Sequence, residues 1–164
     1  MAKILESGIE SERQAIVQKI GENVSLRRAA RVASDGGVIA DYVHNGKIAV
    51  LVQLKGGDYE IGRDVAMHVA ATNPLVVVPE DVDADTLAAE KKIFIAQAAE
   101  SGKPAEIVEK MVAGRIRKYL TEVSLVNQPF VKNTEQTVGE LLESADASVV
   151  SFVRFEVGEG IEVV

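Results

Sequence analysis

Val38-Ile39-Ala40-Asp41-Tyr42-Val43-His44-Asn45-Gly46-Lys47-Ile48-Ala49-Val50-Leu51-Val52-Gln53-Leu54 decides the fold. Two apolar runs, residues 38–43 and 47–54, flank His44-Asn45-Gly46. An Asn-Gly pair between such runs favours a type I′ hairpin turn, because both residues tolerate positive φ. Closing the hairpin there sets Val43 opposite Ile48, Tyr42 opposite Ala49 and Asp41 opposite Val50. One face then carries Ile39, Val43, Ile48, Val50 and Val52, with Asp41 as the exception. That face is expected to be the buried one. His44, Tyr42, Lys47 and Gln53 fall on the other.

Upstream of the hairpin, residues 8–19 read as a helix, with Ile9, Ala15 and Ile16 as apolar points. Residues 24–32 read as a short strand-like stretch, and Gly36-Gly37 marks a turn. Downstream, residues 58–71 form a helix in which Ile61, Val65 and Val69 recur every four residues. His68 shares its apolar side and reads as a satisfied boundary histidine. Pro74 and Pro79 bracket an extended Leu75-Val76-Val77-Val78.

Residues 84–101 and 104–120 carry two long helical patterns, each roughly 26 Å long at about 1.5 Å per residue. Ser101-Gly102-Lys103-Pro104 separates them, with glycine after one helix and proline opening the next. Lys103 falls at the N-cap and is a poor capper. Leu87, Phe94 and Ala98 line one ridge, with Ile95 beside it. Ile107, Val108, Met111, Val112, Ile116 and Tyr119 line the other. A tight turn makes these an antiparallel hairpin. It either packs on the body or projects to meet another protein. Thr137-Val138-Gly139-Glu140 is a capping box opening a short helix that ends near Ala145. Residues 147–157 form a last strand with Val149, Val153, Phe155 and Val157 on one face. The fold class is α+β: a small antiparallel sheet with covering helices and an inserted antiparallel helical hairpin.

Bulk properties narrow the function. The chain has 164 residues, enough to bury a real core. A formal charge of −7 disfavours nucleic acid as a direct partner. There is no cysteine, hence no disulfide, thiolate metal site or cysteine nucleophile. The first residues lack a signal-peptide run, and the apolar stretch 75–78 is far too short to span a membrane. A soluble, cytoplasmic protein is expected.

Chemistry is sparse. The two histidines, His44 and His68, are not placed by spacing against any serine, and no metal-ligand pattern occurs. Gly57-Asp58-Tyr59-Glu60-Ile61-Gly62-Arg63-Asp64 imitates a phosphate loop. Arg63 stands for its lysine, Asp64 for its hydroxyl residue, and carboxylates inside the loop would repel phosphate. Gly158-Glu159-Gly160 has no helix after it and is a turn. We therefore expect no catalytic residue, metal or cofactor, and a docking module in place of an enzyme. His44 beside its hairpin turn is either solvated or a contact residue.

An ordered series of motifs resembles the bacterial elongation factor Ts family. Its members here are Lys19-Ile20-Gly21-Glu22-Asn23, Tyr42-Val43-His44-Asn45-Gly46, Ala66-Met67-His68-Val69-Ala70-Ala71 and Ser101-Gly102-Lys103-Pro104. Glu122-Val123-Ser124-Leu125, Gln128-Pro129-Phe130-Val131 and Arg154-Phe155-Glu156-Val157-Gly158-Glu159-Gly160 follow in the same order. The resemblance covers nearly the whole chain from about Ser11.

It implies a guanine-nucleotide exchange factor for elongation factor Tu that promotes GDP release during translation elongation. By matching position, Ile20 and Gly21 correspond to contacts near the GTPase's nucleotide domain, and His44 to a contact histidine. Phe130, Val131 and Lys132 correspond to a loop that touches the partner's third domain; the family often has an apolar residue where Lys132 stands. The resemblance further implies three regions. Residues 1–37 end a first core subdomain, 38–76 with 126–164 form a second, and 77–125 form a coiled-coil arm for self-association and partner contact. Family members also carry a preceding helical domain and a Thr-Asp-Phe loop that intrudes beside the Mg²⁺ site. This sequence has no Asp-Phe pair. A fragment that docks but exchanges poorly is therefore expected. The alternative is a self-associating module acting through its helical hairpin.

Overall fold

The computed structural model of the chain describes residues 8–100 and 102–160. Its contacts divide into two compact units, residues 1–33 and 34–164.

The first unit holds α1 (Glu10–Ile20). Its Arg13 bonds Glu10 at 2.7 and 2.9 Å, and donates to the Val24 carbonyl at 2.7 Å. The chain after the helix is thereby folded back along it. Gly21 ends the helix in the left-handed region, φ 75°, and its N–H donates to the Val17 carbonyl at 2.9 Å. That cap needs a residue without a Cβ penalty. The strand expected at 24–32 does not form. No described strand pairs with it, and an extended segment without a ladder is only coil.

The second unit runs β1 (Val38–His44), β2 (Ile48–Gly56), α2 (Tyr59–Thr72), α3 (Ala84–Ala99), α4 (Ala105–Val123), β3 (Pro129–Phe130), β4 (Asn133–Thr137), α5 (Val138–Ser144) and β5 (Ala147–Glu156). Strands β1, β2 and β5 form an antiparallel sheet in that order, and β3 pairs with β4. α2 covers the sheet, started by Asp58, whose carboxylate accepts the Ile61 N–H at 2.9 Å. The phosphate-loop look-alike is thus a helix cap.

The hairpin turn forms where expected, but the pairing is offset by one. Asn45 and Gly46 take φ 50° and 67°, and the Lys47 N–H donates to the His44 carbonyl at 2.9 Å. Lys47 then stays outside the ladder, so His44 pairs with Ile48, Val43 with Ala49 and Tyr42 with Val50. A one-residue slip reverses every side chain of a strand. Ala40 and Tyr42 therefore face the core with Val50, Val52 and Leu54, while Asp41 and Val43 point away. Val43 is 58% exposed. The slip also removes the anomaly of a buried Asp41.

A bulge makes a second correction. β5 shifts register against Gln53/Leu54, leaving Val150 unpaired and exposed. The phase changes there: Val149 packs on the core before it, Phe152 after it. The single face of Val149, Val153, Phe155 and Val157 does not exist.

The core joins Val50, Val52 and Leu54 of β2 to Val65 and Val69 of α2, with Leu125, Phe130, Val138 and Leu142. Each such side chain contributes about 1.5–3 kcal/mol when fully buried. The capping box on α5 is complete: Thr137 accepts the Glu140 N–H at 3.2 Å, and Glu140 accepts the Thr137 N–H at 2.7 Å.

α3 and α4 pair as the expected hairpin. Asp83 caps α3. The N-cap of α4 is Pro104, not Lys103, and it makes no side-chain cap bond. Ala98 and Val112 are buried between the helices, and Phe94 meets Tyr119 edge-on at 6.3 Å. Ile93, Ile95 and Ile107 stay exposed. At the root the two chain segments lie side by side. Leu75 N–H donates to the Val123 carbonyl at 2.8 Å, and Leu125 N–H to the Val76 carbonyl at 2.9 Å. No helix among the described residues is long and apolar enough to cross a membrane.

Candidate functional site

Val131 and Lys132 form the turn between β3 and β4, where Phe130 pairs with Asn133. This turn is pinned to α2 at three successive residues. Phe130 is 3% exposed, and its ring lies 6.0 Å from that of His68. The Val131 N–H donates to His68 Nδ1 at 3.1 Å. Lys132 forms an ion pair with Asp64. Asp64 and His68 stand four residues apart, on one side of α2.

His68 is fully buried. A backbone amide only donates, so Nδ1 is the acceptor and the ring proton sits on Nε2. That Nε2 donates to Gln128 Oε1 at 2.9 Å. The Thr72 hydroxyl lies 2.9 Å from the same oxygen and 2.9 Å from the His68 carbonyl, sharing its one proton between them, and the Gln128 amide donates to the Glu122 carbonyl at 2.6 Å. One neutral imidazole and one carboxamide thus tie α2, the end of α4 and the β3–β4 turn together. Burial pushes the His68 pKa below its ordinary 6.5, against a smaller opposing effect of the Gln128 bond.

The expected contact residues divide. Val131 is 43% exposed and presents its side chain outward from the pinned backbone. Lys132 is also exposed. Phe130 is not: its side chain belongs to the core, so its position serves the turn and gives no free surface. His44 is exposed at the end of β1. Its Nδ1 lies 3.2 Å from the Tyr42 hydroxyl, and its Nε2 3.1 Å from the Asn45 amide nitrogen. Tyr42 in turn lines a cavity of about 240 Å³ with Arg63, Asp64, Met67 and Lys132. His44 is therefore linked through Tyr42 to the same stretch of α2 that holds the turn. In the first unit, Ile20 is 51% exposed next to the left-handed Gly21.

Asp64, His68 and Gln128 were not singled out as site residues by sequence reasoning. His68 and Gln128 lie 60 positions apart, and one sequence carries no signal of such a contact. Among the described residues no group of three or more His, Asp or Glu side chains is placed to hold a metal ion.

These features define a class: an α+β body with an inserted helical hairpin and a surface turn held from below by buried hydrogen bonds. Comparison with known proteins identifies the particular family. The sequence model described as Elongation factor TS matches residues 1–159. The chain is 59% identical over 160 residues to Elongation factor Ts of Alcanivorax borkumensis, covering 96% of this chain and 56% of that relative. It is 55% identical over 163 residues to Elongation factor Ts of Hahella chejuensis, covering 99% and 56%. It is 58% identical over 154 residues to that of Methylococcus capsulatus, covering 94% and 53%. The chain belongs to the elongation factor Ts family. It spans about half the length of these curated relatives.

Proposed function

We propose that this chain docks on elongation factor Tu and promotes release of GDP during translation elongation in the cytoplasm. The observation that carries the reading is the β3–β4 turn, pinned at Phe130, Val131 and Lys132 yet offering the Val131 side chain to solvent. A rigid backbone under an exposed apolar residue lowers the ordering cost of binding. Val131, Lys132, His44, Ile20 and Gly21 are the contact residues. Exchange of this kind needs no covalent step. A factor that binds the nucleotide-free GTPase more tightly than the GDP form must weaken GDP binding by the same factor.

The 164 residues contain no Asp-Phe pair and hence no Thr-Asp-Phe element; they dock better than they exchange. Release of a fluorescent GDP from elongation factor Tu, measured beside pull-down of the same GTPase, tests both parts. Capture with slow release is expected. Release as fast as with a full-length relative overturns the impairment, and failure of capture overturns the docking.

A second reading is self-association through the arm. It is favoured by an open, mainly apolar groove of about 890 Å³ between α3 and α4, lined by Leu87, Ile95, Val108 and Ile116 among others. Sedimentation over a concentration range decides it: a strictly monomeric chain sinks this reading.

A further inference from the structure

We infer that His68 is a positioning residue for partner docking, acting through its Nδ1 on the backbone of Val131. The inference rests on the docking reading of the β3–β4 turn and adds a residue that never reaches the surface. Three observations carry it. His68 is fully buried, so it contacts no partner itself. Its Nδ1 takes the N–H of Val131, which is half exposed and sits at the tip of the turn. Its Nε2 is held by Gln128, whose own bonds to Thr72 and the Glu122 carbonyl fix the ring against rotation. The ring orientation is thus set by four polar groups, and the ring in turn sets where the Val131 amide lies.

Any buried histidine needs partners for both nitrogens; a positioning role adds that the Val131 N–H depends on the Nδ1 acceptor in particular. Lost filling and lost positioning are separable because the two amide side chains imitate different halves of the ring. In His68→Asn the side-chain oxygen replaces Nδ1 as acceptor for Val131. In His68→Gln the longer side chain offers a donor near the Nε2 position and leaves the Val131 N–H without a partner. Both leave a similar void, so a merely structural role predicts similar losses.

The test uses the 164-residue chain with amide hydrogen exchange at Val131 and pull-down titration of elongation factor Tu. We expect His68→Gln to speed Val131 exchange and weaken capture, each about tenfold, the scale of one lost hydrogen bond with its donor left bare. His68→Asn stays within about threefold of the parent in both. Equal losses in the two variants overturn the inference. Gln128→Met, which keeps the whole ring but removes the group that holds its Nε2, covers the case in which neither folds: Val131 exchange speeds up if the inference holds, and is unchanged if it does not. If the parent chain fails to capture elongation factor Tu, the docking reading falls. Equal Val131 exchange in the Asn and Gln variants would then still overturn the positioning role.

Discussion

Gly62 of α2 lies against Ala40 of β1 so closely that a Cβ built on Gly62 would sit 2.6 Å from the Ala40 Cβ. The contact is between a helix and the strand it covers, and neither side has a flexible end that can swing away. Gly62→Ala therefore forces α2 off the sheet. Overpacking of this kind costs about 1–3 kcal/mol, and a gain of about 1 kcal/mol in helix propensity opposes it. We expect a net loss in urea denaturation. Gly114 of α4 is the counter-case, with nothing within 4 Å of its built Cβ. Gly114→Ala raises stability by up to about 1 kcal/mol. Equal shifts of the same sign at the two sites would contradict the packing argument.

Phe130 and Val131 are neighbours with opposite tasks. Phe130→Ala empties a core position and costs about 3–5 kcal/mol of stability. Val131→Ala costs less than about 1 kcal/mol, because its side chain is already close to half exposed. It should instead weaken capture of elongation factor Tu by roughly tenfold, as truncation of an interface anchor does. Denaturation midpoints and pull-down titrations on both variants check the split; a Val131→Ala chain that binds like the parent rejects it.

Stability should fall in mild acid because of His68. Its folded pKa is depressed by burial. The unfolded chain, titrating near the ordinary 6.5, therefore binds the proton first. The contribution of the neutral ring is intact above that value. It declines as pH falls through about 6.5 and is fully lost below the depressed folded value. Protonation also places a second donor against the Val131 N–H. Urea midpoints at pH 7.5 and 5.5 for the parent and His68→Asn measure the effect. A pH dependence that survives in the variant assigns it to other groups.

Thr137→Ala removes one half of the capping box and frees the N–H of Glu140. A loss of about 1 kcal/mol is expected. Since Val138 and Leu142 on that helix belong to the core, the loss should appear as a shift of the whole cooperative transition. A separate early transition would mean that α5 melts alone.

Much of this architecture is legible in local chemistry. Asn45-Gly46 announces its turn, Thr137 and Glu140 announce a helix start, and the four-residue ridge of Ile61, Val65 and Val69 announces α2. Each signal is carried by residues that touch within a few positions. What misleads is the count of residues across a turn. Lys47 is held out of the ladder by its own bond to His44, and that one position turns over all of β1. Val150 does the same to β5, since an unpaired residue leaves no mark in an alternation that continues on both sides. The site shows the same division. His44 and the loop containing Val131 can be found from motif order. The tie between His68 and Gln128 cannot, because it is made by folding alone.

The root of the helical hairpin leaves a structural signature of insertion. The segment leaving the body at Leu75 and Val76 and the one returning at Val123 to Leu125 are hydrogen-bonded to each other. Everything between them is a cassette whose two ends are already adjacent. Such a cassette can lengthen, shorten or be exchanged without asking the sheet to move, since closing a short linker across neighbouring strands costs little chain entropy. The body and the hairpin are thus free to drift at separate rates under selection. Sequence change confined to 84–121 would alter the arm while the His68-held turn, anchored at the Glu122 carbonyl, stays as it is.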